Sequence, residues 1–175
     1  MEQRDRVRVT SPVRTALDLL RSGPLDEAVI TLDQLVQAGI VDLGAVRSAA
    51  GTTTGRGCRQ ARTAVALADG LAGSPQETRL RLLVHRSPLP APVAQHVVRH
   101  RGRFVARLDL AWPEHRVAVE YDGLWHAEPG QFVRDRERLN RLTAAGWRVV
   151  FVTAGDLRRP QQLLDRIAAA LGVVR

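Results

Sequence analysis

The sequence predicts an α/β fold, in which a mixed sheet flanked by helices follows a small all-helical region. Apolar residues recur at helical spacing up to about residue 72, and alternation typical of strands begins at Val93. A helical segment then separates the last two predicted strands. We therefore divide the chain into a helical region at 1–72 and an α/β domain at 73–175.

Start and stop signals support each amino-terminal helix. Ser11 and Pro12 are typical of an N-cap and a first helical residue, and Asp42 is a typical cap for the third helix. Pro24 begins the second helix and Gly39 ends it. The predicted helices cover residues 13–21, 24–38, 43–50 and 59–71.

The carboxyl-terminal domain is predicted to begin with a helix from Ser74-Pro75 to about His85. Gly146 is a natural stop for the helix that precedes the last strand. The predicted strands cover residues 94–99, 103–112, 116–122 and 147–153, and further helices cover 131–145 and 160–171.

Composition narrows the classes of protein to which the chain can belong. The net charge is +8 and all 26 basic residues are arginine, which favours a nucleic-acid partner, although biased genomic composition also explains it. Cys58 is the only cysteine, which excludes an internal disulfide and a multi-cysteine zinc site. Without a long apolar stretch or a signal peptide, the sequence predicts a cytoplasmic protein with no membrane span.

The segment from Arg103 to Asp122 contains the strongest pattern. If a tight turn at Glu114-His115 joins two antiparallel strands, Asp109 faces Glu120 and Arg107 faces Asp122. The opposite face is then apolar, and it contains Leu108, Leu110, Trp112, Val117, Val119 and Tyr121. This register is an assumption, because a three-residue loop would shift the pairing by one.

Two carboxylates facing each other across a sheet destabilise it, because their Cβ atoms lie only about 4.5–5.5 Å apart. A divalent cation such as Mg²⁺ would compensate, and it could polarise a phosphate and activate a water. A raised pKa on one acid, or an arginine between the two, would also compensate.

The acidic residues belong to a longer ordered series. Asp109, Glu120-Tyr121-Asp122-Gly123 and His126 resemble the pattern D…E-x-D-G-x-x-H of Vsr-like (very-short-patch-repair-like) endonuclease domains, within the PD-(D/E)XK superfamily. Glu77 before this series, and the segments 135–142 and 146–149 after it, extend the resemblance to about residues 74–172.

The resemblance implies a restriction-endonuclease-like fold and DNA cleavage that depends on Mg²⁺ or Mn²⁺. It implies that Asp109 and Glu120 are metal ligands, that Glu77 is an auxiliary acid at the metal, and that His126 transfers a proton. Asp122 stands where the wider superfamily has a catalytic lysine. Phe151 departs from the pattern, because many such domains have arginine there.

Structural interpretations compete for three of these residues. Glu77 follows Ser74 at the spacing of a capping box, which would explain it without a metal. Asp122 could pair with Arg107 or form an Asp-Gly turn. His126 could be a surface residue of a short loop, although its ordinary pKa suits proton transfer.

Two arginine groups are candidates for phosphate contacts. Arg134, Arg138 and Arg141 share one helix face, and Arg101 and Arg103 lie with His100 at a predicted hairpin tip. A solvated face, with Asp135 pairing with Arg138, is the alternative. The aromatic residues Trp112, Tyr121, Phe132, Trp147 and Phe151 are predicted to lie in the core.

The segment from Val9 to Leu20 resembles the region that follows the winged helix in AbiEi-type antitoxin and regulator proteins. The winged helix itself would precede residue 1. This resemblance supports a second hypothesis, a non-catalytic DNA-binding or antitoxin-like regulator on a nuclease scaffold. RNA as a substrate, a homodimer, and a partner in a toxin–antitoxin or defence system also stay open.

Overall fold

The computed structural model describes residues 2–4, 7–123 and 131–173. It confirms the α/β class, with a four-stranded mixed sheet flanked by helices after a helical region. The chain divides into two compact units, Met1–Arg79 and Leu80–Arg175. The boundary therefore lies within a helix that the sequence placed entirely in the second domain.

The first unit contains the four predicted helices and a hairpin that the sequence did not predict. The hairpin pairs strands β1 (Glu2–Arg4) and β2 (Val7–Val9) in antiparallel fashion. The helices are α1 (Pro12–Leu20), α2 (Leu25–Gln37), α3 (Leu43–Thr52) and α4 (Cys58–Leu67).

The predicted caps explain where two of these helices begin. Ser11 Oγ accepts a hydrogen bond from the backbone N–H of Arg14 at 3.3 Å, and Asp42 Oδ1 accepts one from Ala45 at 2.7 Å. Both bonds satisfy a first-turn N–H that has no acceptor within the helix.

A buried carboxylate organises the first unit. Asp33 on α2 is fully buried, and its Oδ1 accepts hydrogen bonds from the backbone N–H groups of Asp69 at 3.1 Å and Gly70 at 2.9 Å. Its Oδ2 accepts a bond from the Thr78 hydroxyl at 2.9 Å. Asp33 therefore joins α2 to the segment that follows α4, where buried polar groups would otherwise lack partners.

The second unit is built on a sheet with the strand order β3-β4-β5-β6. The first two pairings are antiparallel, and β5 pairs with β6 in parallel after the crossover helix α6. Helix α5 (Pro75–His85) spans the boundary between the units. The other elements are β3 (Val93–His100), β4 (Arg103–Trp112), β5 (Val117–Tyr121), α6 (Gln131–Ala144), β6 (Arg148–Val152), α7 (Ala154–Leu157) and α8 (Pro160–Leu171).

The β4–β5 pairing has the predicted register. Trp112 pairs with Val117, and Leu110 pairs with Val119. The connection differs from the predicted tight turn, because a 3₁₀ turn at Pro113–His115 is followed by Arg116 with a φ of 51°. This longer turn still returns the chain in the register that buries the apolar residues of both strands.

Two core clusters cover the two faces of the sheet. The first contains Leu110, Trp112, Val117 and Val119, together with residues of α5 and α8. The second contains Leu108, Ala111, Ala118 and Leu142 of α6.

The prediction that Leu108 shares a face with Leu110 and Trp112 is therefore wrong. Between the Ala94–Leu110 and His96–Leu108 pairs, Gln95 adopts a φ of 51°, which interrupts the regular alternation of this part of the sheet. Leu108 packs in the cluster that α6 covers.

Within the described ranges, none of the helices has the length and the apolar character that a membrane crossing needs.

We predict that Asp33→Ala lowers the free energy of unfolding by about 3 kcal/mol, because it leaves buried N–H and O–H groups without their acceptor. Asp42→Ala, which removes only an exposed helix cap, is the matched control and should cost about 1 kcal/mol. Denaturant unfolding followed by circular dichroism measures both. Equal losses for the two variants would contradict the proposed role of Asp33.

We also predict a low pKa for Asp156, whose Oδ2 accepts hydrogen bonds from the Thr153 hydroxyl at 2.7 Å and the Thr153 backbone at 2.8 Å. These bonds and Arg166, at 3.0 Å, lower the pKa of Asp156 to about 2. Since the folded-state pKa is lowered, the contribution to stability is present above about pH 4 and is lost as the pH falls toward 2. Carboxyl NMR titration measures the pKa, and Thr153→Ala should raise it; an unchanged pKa in that variant would contradict this account.

Candidate functional site

Asp109 and Glu120 line a single cavity of about 500 Å³ in the second unit. The strands β4, β5 and β6 supply one side of this carboxylate cavity and α6 supplies the other. Among the described residues, its lining contains four acidic residues and two arginines; the described lining is Asp109, Glu120, Tyr121, Asp122, Asp135, Arg136, Arg138, Leu139 and Phe151. The cavity therefore combines groups that attract a cation with groups that attract a phosphate.

The β4–β5 register explains why the two central acids meet. The paired residues run from Trp112–Val117 to Leu110–Val119, and Asp109 and Glu120 are the next residues along the two strands. Asp109 Oδ2 accepts a hydrogen bond from the backbone N–H of Tyr121 at 2.9 Å. The half-buried Asp109 side chain thus reaches across to β5, at the residue that follows Glu120.

Glu120 is a buried acid whose charge is balanced by an arginine. The residue is only 6% exposed, and its Oε1 accepts a hydrogen bond from the guanidinium of Arg138 on α6. Burial raises the pKa of Glu120 above its ordinary value, and Arg138 opposes this effect. Asp122 and Asp135 raise the pKa further, so an added positive charge in the cavity would stabilise the ionised form.

Arg138 therefore has a different partner from those that the sequence suggested. The helix face predicted for phosphate contact contains this residue, and Asp135 was its expected ion-pair partner. In the structure, Arg138 instead supplies the arginine compensation that the sequence left open as an alternative to a metal.

The remaining predicted catalytic residues have different positions. Asp122 is exposed and lines the carboxylate cavity, and its backbone N–H donates to Val152 at 2.7 Å. In the described part of the chain, no ion pair joins it to Arg107. His126 lies outside the described residues.

Glu77 belongs to the first unit, and local capping contacts engage it. Its Oε2 accepts a hydrogen bond from the Gly73 backbone at 2.8 Å, and its own N–H donates to Ser74 Oγ at 3.2 Å. The predicted cap is present, although the glutamate bonds Gly73, one residue before Ser74. Glu77 is not part of the described lining of the carboxylate cavity.

The structure groups the arginines predicted for phosphate contacts differently from the sequence. Arg134 is exposed on α6, whereas Arg141 lines a second cavity together with Arg101 and Arg103. The two groups that sequence spacing treated as separate thus share a surface, because the tip of the β3–β4 hairpin lies beside the carboxyl-terminal end of α6.

Two aromatic residues line these cavities, although the sequence did not predict them there. Phe151 was predicted in the core but is exposed and lines the carboxylate cavity. Phe104, which is also exposed, lines the second cavity. The only signal for Phe151 was its departure from the arginine of the resembled pattern.

The donor set fits a hard cation that keeps part of its water shell. Mg²⁺ commonly takes one or two carboxylates and completes its coordination with water and substrate oxygens, which Asp109 and Glu120 could support. Among the described residues, no group of three or more acidic, histidine or cysteine side chains could hold a metal ion. A cation bound by Glu120 would compete with Arg138 for its carboxylate.

Comparisons with known proteins identify relatives but no activity. The chain is 34% identical over 169 residues to the uncharacterized proteins Rv2248 and MT2308 of two Mycobacterium tuberculosis strains, which covers 95% of this chain. The chain spans 62% of the length of these curated relatives. No protein-family model and no solved structure matches it.

We predict that Arg138→Ala lowers the free energy of unfolding by about 2 kcal/mol, because it leaves a buried carboxylate without its cation. Arg134→Ala, on an exposed position of the same helix, should have little effect. The double variant Arg138→Ala/Glu120→Gln should recover part of the loss. Denaturant unfolding of the wild type and the three variants measures these free energies. Equal losses for Arg138→Ala and Arg134→Ala would refute the role of the ion pair.

Proposed function

We propose that the protein is a cytoplasmic, metal-dependent DNA endonuclease that hydrolyses phosphodiester bonds. The observation that carries this proposal is the position of Asp109 and Glu120, which extend from neighbouring antiparallel strands into one cavity that arginines also line. The ordered series of acids resembles the metal-binding series of Vsr-like endonuclease domains, which supports the same assignment.

In this proposal, Asp109 and Glu120 hold Mg²⁺ or Mn²⁺ through their carboxylate oxygens. Such an ion would polarise the scissile phosphate and lower the pKa of a bound water. Arg136 and Arg138 line the same cavity, and a guanidinium can donate two parallel hydrogen bonds to a phosphate. Asp122, exposed in the cavity, is available to orient a water.

The ion pair between Arg138 and Glu120 couples cation binding to the release of an arginine in this proposal. Because Glu120 Oε1 accepts a hydrogen bond from Arg138, a cation at this oxygen competes with the guanidinium. Cation binding would release Arg138 for contact with a phosphate of the DNA. The free protein thereby keeps the buried Glu120 charge balanced until the cation takes over that role.

The roles of two further residues rest on the resemblance alone. His126 is proposed to transfer a proton, for which an ordinary histidine pKa is well suited. Glu77 is proposed as an auxiliary acid, but its capping contacts explain its position without this role.

We predict that Asp109→Asn and Glu120→Gln each reduce Mg²⁺- or Mn²⁺-dependent DNA cleavage by at least about 100-fold, the scale expected when a transition-state electrostatic contact is lost. Glu114→Gln is the matched control, because it removes an exposed carboxylate from the turn of the same hairpin. Cleavage is measured on single-stranded, duplex, nicked and mismatched DNA, with and without chelator.

Several outcomes would count against the nuclease. Cleavage that survives Asp109→Asn would assign the activity to another site or to a contaminant. If a wild-type protein that unfolds cooperatively in denaturant cleaves none of these substrates in the presence of metal, the proposal is rejected.

A non-catalytic DNA-binding or antitoxin-like regulator is the second candidate. The observation that favours it is the Arg138–Glu120 ion pair, which already balances the buried carboxylate without a metal. DNA binding that needs no metal, survives Asp109→Asn and Glu120→Gln, and occurs without cleavage would support this candidate over the nuclease.

A further inference from the structure

The second cavity of the carboxyl-terminal unit has no role in the proposed hydrolysis. It has a volume of about 760 Å³ and lies between the tip of the β3–β4 hairpin and the last turns of α6. Its described lining contains three arginines and a histidine but no carboxylate; the complete set is His100, Arg101, Arg103, Phe104, Val105, Arg141 and Ala144. We call it the basic cavity.

A β-bulge in β4 leaves Phe104, which lines this cavity, outside the core. Val98 pairs with Ala106, but Arg99 pairs with Phe104, so β4 contains one extra residue at Val105. Val105 and Ala106 are both buried as a result, whereas Phe104 is 60% exposed. Regular alternation from the buried Ala106 would have directed the phenylalanine inward, where its apolar ring would be more stable.

The hairpin tip also presents an arginine at an unusual backbone position. Arg101 and Gly102 both have positive φ, 51° and 78°, as in a type I′ turn. Asn or Asp usually takes the first of these positions, because a longer side chain is disfavoured there. Arg101 therefore adds a guanidinium beside the cavity at a cost in backbone conformation.

The chemistry of this lining fits a nucleotide. The guanidinium groups of Arg101, Arg103 and Arg141 suit a phosphate, and the exposed ring of Phe104 offers a stacking surface for a base. In a paired duplex the faces of the bases are already stacked on each other, so only an unpaired base could use the ring. The cavity volume lies within the range typical of small-ligand sites.

We propose that the basic cavity binds an unpaired nucleotide of a DNA strand, with its base stacked on Phe104 and its phosphates held by Arg101, Arg103 and Arg141. This inference rests on the proposed function in taking DNA as the substrate, but it requires neither metal nor cleavage. It names the class of DNA that the protein prefers: a strand with an unpaired nucleotide near the scissile phosphate.

Helix α6 connects this site to the carboxylate cavity. Arg138 lines the carboxylate cavity and Arg141 lines the basic cavity, and residues three positions apart are neighbours on a helix surface. A single strand that runs along α6 can therefore contact both cavities with consecutive parts of its backbone.

The test is a binding measurement on the full chain in the presence of chelator, so that cleavage plays no part. Fluorescence anisotropy compares a single-stranded oligonucleotide, a duplex with one unpaired nucleotide, and a fully paired duplex. 2-Aminopurine at the unpaired position reports stacking through quenching. We expect the first two DNAs to bind at least about 10-fold more tightly than the paired duplex, with quenching.

Variants separate stacking from charge. Phe104→Leu should weaken binding of the unpaired nucleotide by about 10-fold and abolish quenching, while Arg141→Ala should weaken binding and reduce its salt dependence. Val97→Ala and Arg158→Ala are the matched controls, because both residues are exposed and neither lines the basic cavity. Unchanged unfolding midpoints confirm that every variant is folded.

Four results would overturn the proposal. They are equal binding of paired and unpaired DNA, unchanged quenching in Phe104→Leu, binding of deoxyadenosine monophosphate as tight as that of the oligonucleotide, and Phe104-dependent binding to anionic lipid vesicles in place of DNA. If the protein does not cleave DNA, the binding and quenching measured with chelator are unaffected. Failure of the nuclease proposal is therefore distinguishable from failure of this one.

Discussion

The register between β4 and β5 is the constraint on which the candidate site depends. Leu110 opposite Val119 and Trp112 opposite Val117 bury their side chains only in this pairing, because a shift by one residue would turn each of them to the other face. The same pairing brings Asp109 and Glu120 into one cavity. Hydrophobic burial on one face of the sheet therefore maintains an electrostatically unfavourable arrangement on the other.

Arg138 makes that arrangement compatible with a stable fold. A buried, ionised Glu120 would be costly by itself, and the raised pKa of this group shows that the arginine offsets its burial only in part. In the proposed function, a cation at Glu120 would add positive charge beside a carboxylate whose ionised form burial and the neighbouring acids disfavour. The same arginine is also well placed to bind a phosphate once the carboxylate has another partner.

Irregularities in the sheet help to form the basic cavity. Regular strands would have alternated through Gln95 and Val105, but a positive φ at Gln95 and the extra residue at Val105 interrupt the alternation. The first accompanies the packing of Leu108 under α6, and the second exposes Phe104 beside three arginines. These irregularities lie at the edge and near the tip of the hairpin, and the centre of the sheet stays in the core.

Local patterns in the sequence determined most elements of this protein, but not the β1–β2 hairpin or α7. Caps such as Ser11 and Asp42, the stop at Gly146 and the apolar alternation of β4 and β5 act over a few residues, and so each could be predicted with its approximate bounds. The expectation that Asp109 and Glu120 lie close together came from the same short-range pattern, and both line one cavity. Only the tertiary structure decided that Arg138 binds Glu120, that Arg141 joins Arg101 and Arg103, and that Phe104 and Phe151 are exposed. These contacts depend on how α6 crosses the sheet and on where the strands bulge. The periodicity of the sequence encodes neither the crossing of the helix nor the position of the bulges.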